Sequence, residues 1–141
     1  MGEVKNVDSA EGTETILSIC SGGAGLDRGV DLALQHLGRR GIPVAYVERE
    51  AFAAEILAAR MDEGALGPAP IHTDVTQFDG LPFEGLVDGI VGGYPCQPFS
   101  LAGKRLGDAD PRHLWPEVLR IYRESGARYL FCENVLGHVS L

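Results

Sequence analysis

"TILSICSGGAGLDRGVDLALQHL", Thr15 to Leu37, decides the fold. Its first six residues, Thr15 to Cys20, are largely apolar and rich in β-branched types, which predicts a buried strand. A glycine-rich turn follows. Beyond it Leu26, Val30, Leu34 and Leu37 recur at steps of four, four and three, the spacing of a single helix face. A strand that passes through glycines into a helix opens an α/β unit.

The pattern repeats outward from that unit. "VAYVE" (Val44 to Glu48) predicts a second strand, and "EAFAAEILAARM" (Glu50 to Met61) a helix of high propensity that groups Phe52, Ile56 and Ala59. "PIHTDV" (Pro70 to Val75), "LVDGIVGG" (Leu86 to Gly93) and "RYLFCENV" (Arg128 to Val135) predict strands three, four and five. Between the last two, "HLWPEVLRIYRES" predicts a helix with Leu114, Val118, Ile121 and Tyr122 along one stripe. Alternating strands and helices imply one Rossmann-like α/β domain, a parallel sheet covered on both faces. Residues 1–14 read as a disordered lead-in and 15–141 as the domain. Such sheets bind ligands at the carboxyl ends of their strands. There lie "SGGAG", Glu48, Asp74, "GGYPCQPFS" and "ENV", every unusual group on one rim.

Bulk properties narrow the function. The chain has 141 residues, 45% of them hydrophobic, enough for one core. Cysteines 20, 96 and 132 are odd in number, form no CxxC pair and follow no signal peptide, which argues against a disulfide framework or metal site and for a reducing, cytoplasmic setting. No apolar run approaches the roughly 18 residues that cross a bilayer. The balance of 12 basic and 20 acidic residues, net −8, argues against the whole chain as a freestanding nucleic-acid binder. From Gln97 to Arg128, however, six basic residues face four acidic ones, so an anionic polymer would approach after Cys96.

Glycines 22, 23 and 25 between strand and helix let a ligand approach the backbone closely. Glu48, 23 residues after Gly25 and at the end of the next strand, is placed as a ribose acceptor. The glycine spacing misses GxGxxG by one residue and no GxxxxGK[ST] loop is present, which favours a cofactor without a pyrophosphate, such as S-adenosylmethionine. Standing alone, each feature has a plainer reading: a tight turn for the glycines, a helix N-terminal acid for Glu48, a turn or cap residue for Asp74.

Cys20 and Cys132 sit in apolar runs and read as small buried hydrophobes. Cys96 differs. Pro95 and Pro98 fix φ and remove backbone donors around it, a preorganised loop suited to a nucleophile. Glu133 and Asn134, ending the neighbouring strand, are able to engage the edge of a heterocycle, with a protonated carboxyl as general acid. His72 and His113 are in no recognisable protease arrangement with Cys96, so hydrolysis is the weaker chemistry.

With these residues in view, the chain resembles the N-terminal part of a cytosine-C5 DNA methyltransferase. "GGYPCQPFS" is similar to that family's nucleophile loop, "FCENV" to its glutamate motif and "ILSICSGGAGLDRG" to its cofactor loop. The resemblance implies a flipped cytosine, Cys96 adding to C6, Glu133 engaging N3, and methyl transfer from S-adenosylmethionine to C5, as in restriction-modification. It implies that Ser21, Gly22, Gly23, Ala24, Gly25 and Leu26 contact the methionine part of the cofactor, Glu48 the ribose, and Asp74 with Val75 the adenine. Pro95 would border the cofactor at the start of the catalytic loop. Gln97, Ser100, Arg112, Asn134 and Val135 would line the substrate side. The family's loop usually carries an aromatic residue where this chain has Cys20, and a double glycine where it has Ala24 and Gly25.

Length is the larger departure. The sequence stops at Leu141, before the family's target recognition domain and C-terminal elements. The expectation is therefore a partial catalytic domain, either a truncated product or one partner of a split enzyme, that meets double-stranded DNA through the missing recognition domain, with a silent cofactor- or partner-binding remnant as the alternative.

Overall fold

A computed structural model describes residues 12–95 and 114–134. Five strands run β1 (Thr13–Ile19), β2 (Arg40–Val47), β3 (Ile71–His72), β4 (Gly89–Gly92) and β5 (Tyr129–Cys132). Three helices intervene: α1 (Gly25–His36), α2 (Ala51–Asp62) and α3 (Trp115–Ser125), with a short 3₁₀ turn at Leu81–Phe83. The sheet order is β3-β2-β1-β4-β5, every pair parallel. The chain steps outward from β1 to β3, then returns to the other side of β1 as β4. That reversal opens a crevice above β1 and β4, where ligands bind in sheets of this kind.

One sheet face supplies Leu17, Ile19, Ala45, Val47 and Ile90, which pack with Val118 and Ile121 of α3 and with Val75, Phe78 and Val87. A smaller cluster, Ala24, Tyr46 and Leu57, packs with Met61, Leu66, Ala69 and Ile71. Side chains alternate between faces along a strand, so Tyr46 falls in the second cluster while its neighbours Ala45 and Val47 fall in the first.

The element types match the expectation; several boundaries and faces do not. Strand β1 starts at Thr13, so Thr13 and Glu14, expected in the lead-in, belong to the sheet, and Glu14 is buried. It ends at Ile19 because Cys20 turns to a φ of 52°. Strand β2 extends back to Arg40, with an irregularity in which Ile16 pairs Pro43 and Leu17 pairs Ala45. Proline has no N–H for the ladder, and skipping Val44 absorbs it. Strand β3 is only two residues long because Asp74 caps the next turn, accepting from Thr76 N at 2.9 Å and Thr76 Oγ1 at 2.7 Å.

The α2 face is a correction. Phe52 is 75% exposed and Ala59 is exposed, while Leu57 is fully buried. Alanines surround this helix, so its sequence has no strongly polar side to fix its rotation; the fit of Leu57 over Tyr46 fixes it instead. In α1, Leu34 is buried but Leu37, the expected end of the stripe, is 72% exposed. The α3 stripe holds: Val118 and Ile121 are fully buried, and Leu114 and Tyr122 pack beside them. Pro116 sits in the first turn of α3, where its missing N–H costs nothing, and Gly126 ends the helix at φ 63°.

Candidate cofactor and catalytic rim

The loop after β1 is built from alternating backbone conformations. Cys20, Gly22 and Ala24 have φ of 52°, 53° and 59°, the left-handed region, and Ala24 directly precedes α1. The loop closes through Ala24 N donating to the Ser21 carbonyl at 2.8 Å, and it is moored to β2 by Ser21 N donating to the Val47 carbonyl at 3.2 Å.

Glu48, at the end of β2, is buried, and its carboxylate faces the loop. Oε2 accepts from Gly22 N at 2.6 Å and Oε1 from Glu50 N at 2.7 Å. A carboxylate has about four lone-pair sites, so each oxygen retains one for a ligand hydroxyl. Glu48 N in turn donates to the His72 carbonyl at 2.8 Å, tying β2 to the end of β3. Two residues on, Asp74 is occupied as a turn cap, the plainer reading of that residue. Bonds from the Thr76 hydroxyl and backbone hold its carboxyl below the ordinary range. Its Oδ2 accepts from Gln77 at 3.3 Å and keeps acceptor capacity. Val75 beside it is buried in the main core. The His72 ring accepts from Asp74 N at 3.3 Å and meets Phe78 edge-on, a structural placement.

Across the crevice, β4 and β5 deliver the second group. Glu133 N donates to the Gly92 carbonyl at 3.1 Å, and the exposed Glu133 side chain stands at the rim. Asn134 donates from Nδ2 to the Tyr94 carbonyl at 3.3 Å, joining the end of β5 to the residue before Pro95. Tyr94 is buried, its ring 5.6 Å from that of Trp115. Burial, with the nearby Cys132 thiol, pushes the Tyr94 phenol up to about 12, against the bond from Asn134. Sequence reasoning missed Tyr94, whose place between Gly93 and Pro95 carried no periodic signal.

Cys20 and Cys132 are half-buried free thiols. Burial, then the charge of Glu48 and the Cys132 thiol, pushes Cys20 up to about 12, and burial pushes Cys132 to about 11. Values this high keep both in the thiol form at neutral pH. Cys96, Gln97, Ser100, Arg112 and Val135 lie outside the described residues.

Gly25 begins α1. Leu26 lines a groove of about 460 Å³ between α1 and β5, with Val30, Leu37, Tyr129 and Phe131. Among the described residues no helix is long and apolar enough to cross a membrane.

Known proteins resemble this chain in sequence and fold. The Type II methyltransferase M.NgoMIV of Neisseria gonorrhoeae is 36% identical over 124 residues, 87% of this chain and 36% of that protein. M.AquIA of Picosynechococcus is 34% identical over 131 residues, 89% of this chain and 50% of that protein. The crystal structure of a Spodoptera frugiperda DNMT2 triple mutant superposes with a TM-score of 0.62 at 26% identity, over 91% of this chain and 37% of that one. The chain thus spans between about a third and a half of the length of these relatives. Residues 15–141 match the family described as C-5 cytosine-specific DNA methylase, and the chain belongs to that family.

Proposed function

We propose that the chain carries the cofactor rim and the reacting groups of a DNA cytosine-C5 methyltransferase, with S-adenosylmethionine as methyl donor. The observation that carries this reading is the rim itself. Glu48 is hydrogen-bonded to the glycine loop on one side of the crevice, and on the other the Asn134 amide is bonded to the residue preceding Pro95. Ser21 to Leu26 contact the methionine part, Glu48 offers its free lone pairs to the ribose, and Asp74 with Val75 borders the adenine. When bound, the cofactor supplies a methyl group on a sulfonium centre. The chain's own residues do the rest: Cys96 adds to C6 of a flipped cytosine while Glu133 holds N3, which raises electron density at C5; once C5 carries the methyl, loss of its proton re-forms the C5–C6 double bond and expels the Cys96 sulfur. Gln97, Ser100, Arg112 and Val135 belong to the same substrate side in this reading, and Asn134 aligns it.

The matched relatives are two to three times as long, and we infer that recognition of double-stranded DNA needs polypeptide of the kind they add, such as a second chain. The test is transfer of labelled methyl to DNA. This chain alone should give little or none, the chain combined with the remaining part of a relative should give transfer, and Cys96→Ser should abolish it. Transfer that survives Cys96→Ser ends the proposal. Absence of S-adenosylmethionine binding at millimolar concentration leaves an interaction role instead.

A further inference from the structure

Ser18 is a hydroxyl, 1% exposed, in the middle of an apolar strand between the fully buried Leu17 and Ile19. Packing alone would favour an aliphatic residue there. Its Oγ donates to Ser21 Oγ at 2.7 Å, and Ser21 Oγ reaches the Val47 carbonyl at 3.5 Å. One buried hydroxyl therefore touches the first residue of the glycine loop.

The loop needs such a tie. Cys20 and Ala24 hold left-handed conformations that residues with a Cβ adopt at a cost, and such conformations persist only where surrounding contacts over-determine them. Glu48 restrains the loop at Gly22 from the β2 side, and Ser18 restrains Ser21 from beneath.

We propose that Ser18 is a positioning residue for cofactor binding. It touches no ligand; through Ser21 it sets the glycine loop before a ligand arrives, so that less ordering remains to be done on binding. The inference rests on the cofactor reading above, and its test has an arm that needs no cofactor.

Ser18→Ala keeps most of the volume and removes only the hydroxyl. In the ligand-free chain, amide hydrogen exchange at Gly22 and Gly23 should become about three- to tenfold faster, the scale of one lost hydrogen bond. Exchange at Ile90 and Val91 in the core should change by clearly less. Calorimetry with S-adenosylmethionine should show affinity weakened by a similar factor, about three- to tenfold. Unchanged exchange at the loop amides overturns the proposal, as does loop exchange that rises only in step with the core. Faster loop exchange with cofactor affinity unaltered also overturns it, because the tie would then have no bearing on binding. If the parent chain binds no cofactor, the cofactor reading fails, and the exchange arm alone decides whether Ser18 sets the loop.

Discussion

Gly22 accepts a φ of 53° while its N–H points at Glu48, and open space lies where a Cβ would stand. Gly22→Ala therefore meets no steric neighbour and isolates the backbone cost, about 1–2 kcal/mol of unfolding free energy, measurable by urea denaturation. The thiols give a second expectation at this scale. With Cys20 pushed to about 12 and Cys132 to about 11, native alkylation at pH 8 should leave both unmodified when read by peptide mass, and denaturation should expose both. The place of Glu48 at a strand end was legible in the sequence, whereas its bond to the glycine loop was not separable there from the plainer helix N-terminal reading. The left-handed turn at Ala24 was not, since a sequence names an alanine without its dihedral angle. Asp74 was legible as two things at once, and the coordinates show the turn cap while leaving one oxygen with capacity for a ligand.

Among the elements, α2 separates sequence pattern from packing. Leu57→Ala should cost about 2–5 kcal/mol by removing a fully buried side chain, whereas Phe52→Ala should stay within about 0.5 kcal/mol; paired denaturant titrations check both. The periodicity grouped Phe52 with Ile56 and Ala59, and the structure turns the helix so that Leu57 and Met61 meet Tyr46. Nothing local could choose between these faces, because the choice is made by the strand beneath. Strands β1, β4 and β5 were readable from their apolar runs, and β3 shrank because a side-chain cap competed with the ladder. Gly89 in β4 makes a sharper expectation. A Cβ there would stand 2.1 Å from the Tyr129 ring, whose hydroxyl is hydrogen-bonded to Glu14, so the ring has little freedom to retreat. Gly89→Ala should destabilise the fold by about 3 kcal/mol in the same titration.

Across the whole molecule, several buried acids share one direction of shift. Burial raises Cys20, Tyr46 and Tyr94 to about 12 and Cys132 to about 11, from ordinary values of 9.0 for the thiols and 10.0 for the phenols. Folded values above unfolded ones contribute stability that is complete below the unfolded pKa and lost as pH rises through the folded one. The urea midpoint should therefore hold until about pH 9 and fall steadily toward pH 12, where tyrosinate absorbance should appear together with unfolding. A midpoint that stays level to pH 12 would contradict the burial of these groups.

Strand β5 pairs with β4 along one edge, ends the observed sheet order, and leads directly into Glu133 and Asn134. Phe131 beside that edge is 50% exposed and lines the groove under α1. A polypeptide that extended the sheet at β5 would pull on the strand that ends directly before Glu133, and the Asn134 amide would carry that pull to the Tyr94 backbone. Docking at that edge and the setting of the crevice rim would then be a single event.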